Sequence, residues 1–166
     1  MTTNWHLVYT KPQREREAEL HLLNQGYSVY LPQHQVGARR KGRHVELTQP
    51  LFPRYLFVEL THGVDNWSPI RSTRGVVGLV RFGVEHAIAP ASLIEYLRQN
   101  EKESEKLIPS QPFVAGDQVR VANGPFAGYE AIYQCDRAED RALVLLSLVN
   151  QFSEITLSLH DLEKAA

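Results

Sequence analysis

Residues 49 to 60 read QPLFPRYLFVEL, and this stretch decides the fold. After its two prolines the run is typical of a β-strand, in which successive side chains point to opposite sides. One face carries Tyr55, Phe57 and Glu59, and the other carries Leu56, Val58 and Leu60. Both faces are therefore apolar. Either the strand is buried on two sides within its own domain, or one face binds another molecule.

The sequence around this strand predicts an α+β fold, with helices packed against an antiparallel sheet. A helix is predicted from Pro12 to Gly26 and a second one from Pro90, because proline suits a first turn and glycine a helix end. Strands are predicted at residues 5–10, 27–33, 44–49, 51–60 and 75–82, and a basic loop at residues 37–43.

The second part of the chain has a different pattern. Residues 100–112, NEKESEKLIPSQP, have the charge and proline content of a linker. Beyond them, short apolar runs at residues 116–121, 129–134, 141–149 and 154–163 are spaced like the strands of a small β-barrel. The predicted domains are therefore 1–99, a linker at 100–112, and 113–166.

Charge is unevenly distributed along the chain. Residues 1–81 contain 11 basic and 6 acidic residues, whereas residues 82–166 contain 7 and 13, so the net charges are +5 and −6. A basic first half points to a nucleic-acid partner and to attraction between the halves. No segment is apolar for 18 residues and no signal peptide is evident, so we expect a cytoplasmic protein with no membrane partner.

The sequence offers little support for catalysis. The seven histidines are scattered without metal-ligand spacing, and no phosphate loop or dinucleotide fingerprint occurs. The single cysteine, Cys135, excludes an intramolecular disulfide. We therefore expect a binding protein without enzyme activity, cofactor or metal.

Two segments have the composition of a nucleic-acid surface. The first helix places Arg14, His21, Asn24 and Gln25 on one side, a set able to stack on bases and bond their edges. The run RSTRG, residues 71–75, adds arginines and hydroxyls suited to phosphate and base contacts. Each segment is also compatible with an ordinary solvated surface.

Four segments together resemble the NusG family of transcription elongation factors. They are WHLVYTKP (5–12), PLFPRYLFVEL (50–60), TRGVVGLVRFG (73–83) and GDQVRVANGPFAGYEA (116–131). The resemblance implies an N-terminal domain that binds RNA polymerase and a small C-terminal KOW β-barrel. Within the family, the second and third segments are most similar to the RfaH-type antiterminators.

The resemblance also implies two sets of contact residues. The clamp helices of the largest polymerase subunit would contact Tyr55, Phe57, Phe82 and Leu97. The exposed non-template DNA strand would contact Lys11, His21, Gln25, Arg71, Thr73 and Arg74. A contact with the second-largest subunit is implied near residues 66–68, where Asn-Trp-Ser replaces the usual histidine-threonine run.

The implied function is antitermination by a monomer that reduces pausing and termination and couples transcription to translation through a small-subunit ribosomal protein bound to the KOW domain. Two alternatives remain open at this point. One is a housekeeping NusG paralogue without DNA sequence specificity, and the other is a ribosome-associated KOW protein that binds RNA.

RfaH-type proteins also imply a second state of the C-terminal segment, a helical hairpin docked on the clamp-binding face. The leucine-rich run 143–149 fits a helix as readily as a strand, and residues 136–140 fit a hairpin tip. Pro125 opposes a long first helix, and Gln49 replaces a glutamate that would pair with Arg141. The barrel is therefore the predicted state, and the hairpin is the alternative.

Overall fold

The structure, a computed structural model, describes residues 3–106 and 127–165. The elements in chain order are β1 (Thr3–Thr10), α1 (Glu15–Asn24), β2 (Ser28–Tyr30), β3 (Gln33–Arg40), β4 (Arg43–Pro50), β5 (Tyr55–Thr61), α2 (Ser68–Arg71), β6 (Val76–Leu79), β7 (Arg81–Phe82), β8 (Glu85–His86), β9 (Ile88–Ala89), α3 (Ala91–Lys106), α4 (Ala127–Gln134) and α5 (Ala138–Ala165). The α+β prediction is confirmed for the N-terminal part.

Strand β1 is the centre of an antiparallel sheet. Strand β5 pairs along one of its edges, and β6 and β9 share the other. Strand β2 pairs with the outer edge of β5. In this register Leu7 lies opposite Phe57, and Val8 lies opposite Leu56. The two partners in each pair therefore project from the same side of the sheet.

Both sides of the sheet are buried, and different helices cover them. On one side Val8, Leu56 and Val58 form a cluster with Ala18 and Leu22 of α1. On the other side Leu7 and Phe57 join a cluster with residues of α3, α4 and α5, namely Leu93, Ile94, Leu97, Ile132, Leu145 and Val149. We call this second side the covered face. The two apolar faces of β5 are thus explained by two layers of helix.

The predicted basic loop at residues 37–43 is wrong. Strands β3 and β4 pair along their whole length and bring Arg40 opposite Arg43, so only Lys41 and Gly42 form the turn. Both turn residues have positive φ, 51° and 76°, as a two-residue hairpin turn requires. A Lys-Gly pair is a weak turn signal, which is why the sequence did not reveal it.

The predicted linker is also partly wrong. Helix α3 begins after Pro90, as expected, but it continues to Lys106, so residues 100–106 are helical. Residues 107–112 lie outside the described residues. In the single predicted strand at residues 75–82, β6 ends at Leu79 and β7 starts at Arg81.

The C-terminal segment differs most from the prediction. The strands expected at residues 129–134, 141–149 and 154–163 are helical, because α4 and α5 form a hairpin with its turn at residues 135–137. The strand expected at residues 116–121 lies outside the described residues. Ala142, Leu145 and Val149 are buried at helical spacing, while Leu143 is exposed. The docked hairpin, held as the alternative, is thus the state of this structure.

The two helices of the hairpin approach each other closely. A Cβ placed on Gly128 of α4 would lie 2.6 Å from a methyl carbon of Leu148 on α5. Glycine at this position leaves room for the end of the Leu148 side chain between the two helices. Within the described residues, no helix is both long and apolar enough to cross a membrane.

Candidate protein and nucleic-acid interfaces

The hairpin closes over the residues predicted to bind the polymerase. Phe57 is 0% exposed and Leu97 is 1% exposed, and both belong to the covered-face cluster. Tyr55 and Phe82 are half-buried at its margin. The four residues predicted from the resemblance thus lie together. Two of them are core residues while the hairpin is docked, so Phe57→Ala would destabilise the fold as well as remove a predicted polymerase contact.

One buried cation, Arg141, joins the hairpin to the N-terminal α+β part at residues 3–106, which we call the sheet domain. The Nε of Arg141 donates to the Leu51 carbonyl oxygen at 2.9 Å, and its Nη1 donates to the carbonyls of Cys135 and Asp136 at 3.0 and 3.2 Å. Arg141 is 4% exposed, and burial lowers the pKa of its guanidinium. Because Gln49 replaces the expected glutamate, Arg141 has no carboxylate partner there, and three backbone carbonyl oxygens accept its hydrogen bonds instead.

Helix α4 is also attached to α3 by aromatic side chains. Tyr96 packs against Tyr129 and Tyr133, with ring centroids 5.6 and 6.2 Å apart. The hydroxyls of Ser92 and Tyr129 lie 3.0 Å apart in a hydrogen bond. Half-polar contacts of this kind suit a boundary that separates more readily than a purely apolar core.

The predicted DNA-binding residues lie on the other side of the molecule, around α1 and the loop after α2. Gln25 donates from Nε2 to the Thr73 hydroxyl at 2.9 Å and to the His21 carbonyl at 3.2 Å. Thr73 in turn donates to the Pro69 carbonyl at 2.8 Å. Thr73 is 6% exposed, and its hydroxyl is bonded to Gln25 and to the Pro69 carbonyl. The backbone thus brings together residues separated by 48 positions.

Exposed cations surround this pair. Glu17 lies between Arg14 and Arg74, at 3.6 and 3.7 Å from their guanidinium nitrogens. Lys11 is exposed, and its amide donates to the Gly75 carbonyl at 2.8 Å. In this group three cations, Lys11, Arg14 and Arg74, accompany one carboxylate, Glu17, so the group carries net positive charge. Arg14, which was noted on the helix but not included among the predicted contacts, belongs to it.

Gly75 allows the loop to rest on α1. Its φ is +86°, and an added Cβ would lie 3.0 Å from the Ala18 nitrogen and 3.1 Å from the Arg14 carbonyl oxygen. Any larger residue would push the loop away from the helix. The close contact therefore fixes Thr73 and Arg74 relative to Gln25.

Arg71 lies one turn away, at the end of α2, beside a cavity that sequence reasoning missed. This cavity, about 720 Å³, is lined by Trp67, Ser68, Arg71, Val77, Gly78, Leu79, Arg81 and His86. Trp67 and His86 also line a second cavity of about 290 Å³, together with Asn4, His6, Leu60, His62, Glu85 and Ile88. These residues are scattered over residues 4–88, so no local motif could have announced them.

Burial alters the histidines of this region. The pKa of His6 is lowered to about 4, mainly by burial and to a lesser extent by the neighbouring His86. A hydrogen bond with the Ala87 backbone has a weaker effect in the opposite direction. Burial and then Arg81 lower the pKa of His86. Both imidazoles are therefore neutral at pH 7 and act as hydrogen-bonding rather than charged groups. Within the described residues, no cluster of three or more metal-ligating side chains occurs.

Comparison with known proteins identifies the family. The family model described as "Transcription termination factor nusG" matches residues 3–98, more than half of the chain. The chain belongs to the NusG family. All predicted contact residues, from Lys11 to Leu97, lie within the matched range, whereas the helical hairpin lies outside it.

Individual members of the NusG family are similar over long stretches. The transcription termination/antitermination protein NusG of Thermus thermophilus is 25% identical over 184 residues, covering 99% of this chain and 100% of that protein. The NusG protein of Vibrio cholerae is 29% identical over 140 residues, covering 82% and 76%. A solved structure described as "Domain interaction in Thermotoga maritima NusG" has a TM-score of 0.43 and 22% identity, covering 60% of this chain and 57% of that one.

Membership of the NusG family makes the protein a transcription termination and antitermination factor, which agrees with the expectation of a protein without enzyme activity.

Proposed function

We propose that this NusG-family protein is an RfaH-type antiterminator that binds elongating RNA polymerase and the exposed non-template DNA strand. The covered face would bind the clamp helices of the largest polymerase subunit, and a further contact would reach the second-largest subunit. Bridging the DNA channel would hold the polymerase away from its paused state, so the mechanism is a shift of populations without a chemical step.

The observation that carries the proposal is the helical hairpin over the covered face. An apolar cluster that contains Phe57 and Leu97 is closed by two antiparallel helices of the same chain. A pair of clamp helices would present the same kind of surface, an amphipathic helix pair in an apolar groove. The hairpin would therefore compete with the polymerase for one site. A housekeeping paralogue without this competition would need no such cover.

The predicted DNA-binding surface around Gln25 and Thr73 offers a ligand a hydrogen-bond acceptor. Both amide hydrogens of Gln25 have partners in Thr73 and His21, so only its Oε1 remains for a ligand. Gln25 would therefore accept a hydrogen bond from a base that carries a donor group, such as an exocyclic amine. Lys11, Arg71 and Arg74 are exposed and would contact phosphates, which position the strand. Half-buried His21 would pack beside the bound base.

Binding of DNA would recruit the closed protein, and release of the hairpin would follow. Competition by the clamp helices would then free residues 113–166 to refold as the KOW barrel, which would bind a small-subunit ribosomal protein. The leucine-rich run of α5 supports both forms, because as a strand it is apolar on both sides and as a helix it has a wide apolar stripe.

Crosslinking on paused elongation complexes tests this proposal. Full-length protein with a photocrosslinker at Tyr55 should react with the largest polymerase subunit, and one with a crosslinker at His21 should react with the non-template strand. Equal crosslinking to scrambled non-template strands would favour the housekeeping paralogue. Crosslinks to ribosomes alone would favour the RNA-binding alternative and refute antitermination.

A further inference from the structure

We infer that the cavity beside Trp67 binds one nucleotide of single-stranded DNA, with the base stacked on the indole and the adjoining phosphates on Arg71 and Arg81. The inference extends the DNA surface just described, so it rests on the proposed function. It adds a second nucleotide site, distinct from the one around Gln25 and Thr73. It assigns to DNA the segment 66–68, where the resemblance implied a contact with the second-largest polymerase subunit.

The size and lining of the cavity suit a nucleotide. Its volume of about 720 Å³ is within the range of small-molecule sites, roughly 300 to 1,000 Å³. One wall is the half-buried indole of Trp67, which also contacts the rings of His6 and His86, and another is formed by residues 77–79 of β6. Stacking of a base on an aromatic ring is the principal sequence-tolerant contact of single-strand binders.

The charges at the cavity favour a polyanion. Arg71 and Arg81 both line it and are both exposed, and neither takes part in an ion pair within the described part of the chain. No carboxylate is among the described residues that line it. Glu85 lines only the smaller cavity beyond Trp67. Two guanidinium groups at the margin of an aromatic cavity are typical of backbone contacts to nucleic acid.

Buried polar atoms without partners provide the second, independent observation. The Nδ1 atoms of His6 and His86 are buried and have no hydrogen-bond partner among the described residues. His6 is 3% exposed and lines the smaller cavity, and His86 lines both. Such atoms are rare in folded proteins because each unmade bond is costly. A base edge in the larger cavity carries donors and acceptors and would satisfy the Nδ1 of His86, whereas His6 lines only the smaller cavity.

The position of the cavity gives the path of the strand. Trp67 precedes α2 and Arg71 ends it, and Thr73 and Arg74 of the Gln25 surface follow directly. A strand could therefore pass from the Gln25 site along α2 to Trp67. None of the described hairpin residues lines the cavity, so the site is accessible in the closed protein.

The chain provides its own reporter for this site. It contains only two tryptophans, Trp5 and Trp67, and Trp5 is buried under Arg98 on the covered face. A full-length Trp5→Phe protein therefore reports on Trp67 alone. Titration with a DNA oligonucleotide of about twelve nucleotides, the scale of single-strand sites, should quench its fluorescence. An oligonucleotide of abasic sugar-phosphate should not quench it.

Variants test the charged part of the site. Arg81→Gln should weaken binding about fivefold and lower the slope of log K against log salt by about 0.7, the value for one lost phosphate contact on a single strand. The matched control is Arg137→Gln, at an arginine that is also exposed but lies on the hairpin turn, which should change neither. Trp67→Leu should weaken binding at least fivefold if it folds.

The outcomes separate the two proposals. DNA binding that His21→Ala weakens, but that neither quenches Trp67 nor responds to Arg81→Gln, would overturn the second site and leave the proposed function intact. Absence of binding to any single strand would overturn both. Quenching of Trp67 by polymerase without DNA, and not by DNA, would assign the cavity to a protein contact and also overturn the inference.

Discussion

Replacement of Leu145 by alanine should open the hairpin selectively. Leu145 is 0% exposed and lies in the cluster that joins α5 to the sheet and α3. Truncation of a buried leucine costs about 3 to 5 kcal/mol, the lost transfer energy together with the cavity left behind. Because this cluster holds the hairpin in place, most of the lost free energy should weaken the docking of the hairpin on the sheet. A loss of about 3 kcal/mol raises the ratio of open to closed protein roughly a hundredfold.

Amide hydrogen exchange measures this opening directly. In Leu145→Ala, exchange of the α5 amides should accelerate up to about a hundredfold, since local opening controls their rate. Binding to polymerase should tighten because the covered face is freed more often. The matched control is Leu143→Ala, the same change on the same helix at a side chain that is 64% exposed. It should alter neither exchange nor binding.

Two results would refute this reasoning. Equal acceleration in Leu143→Ala would mean that the loss of helix propensity, and not the buried contact, controls opening. Faster exchange in β1 and β5 with unchanged α5 would mean that Leu145 supports the sheet domain and not the docking of the hairpin.

Three further changes test other parts of the structure. Phe57→Ala should lower the free energy of unfolding, measured by urea titration, by about 3 to 5 kcal/mol because Phe57 is fully buried. Tyr55→Ala should lower it by clearly less because Tyr55 is only half-buried, and equal losses would contradict this difference in burial. Gly75→Ala should lower the melting temperature and weaken DNA binding, because the positive φ of Gly75 and its contact with α1 exclude a methyl group. The control Gly83→Ala, at a glycine with positive φ but open space around it, should lower the melting temperature only by the cost of backbone strain. The pKa of His6 in the folded protein, about 4, lies below its ordinary value of 6.5, so stability is full above pH 6.5 and falls as the pH drops towards 4, by up to about 3 kcal/mol. His6→Gln should flatten this dependence in denaturation measured from pH 7.5 to 5, and an unchanged slope would exclude His6 as its source.

The sheet domain was largely predictable because its signals are local. Alternation in β1 and β5 gave two strands with two apolar faces, and Pro12, Gly26 and Pro90 marked the helices. Strand β4 and a loop before it were predicted, but strand β3 was missed and the loop was predicted too long, because the turn Lys41–Gly42 lacks a strong turn signal. The end of α3 was missed because charge and proline in residues 100–112 outweighed helix propensity.

The interface residues were predictable only through the resemblance to a family. Composition indicated a basic first half, but not that Gln25 and Thr73 would form a hydrogen bond across 48 positions. The cavity beside Trp67 was not predicted, although Trp67, Ser68 and Arg71 of its lining lie among the contacts that the resemblance implied. Its lining comes from separate elements that the sheet and α2 bring together, and no spacing in the sequence encodes that proximity.

The sequence by itself determined the sheet, because strand alternation and proline or glycine positions act over a few residues. It also determined the positive charge of the first half of the chain and the negative charge of the second half. Only the tertiary structure decided between helix and strand at the C-terminal end. The run RALVLLSLV is apolar on both sides as a strand and has one wide stripe as a helix, so its local preference is nearly balanced. Burial of Leu145 and Val149 against Phe57 and Leu97 adds several kcal/mol to the helical form. That contact joins residues about fifty or more positions apart in the chain, so the segment's own sequence does not contain the information that selects its fold.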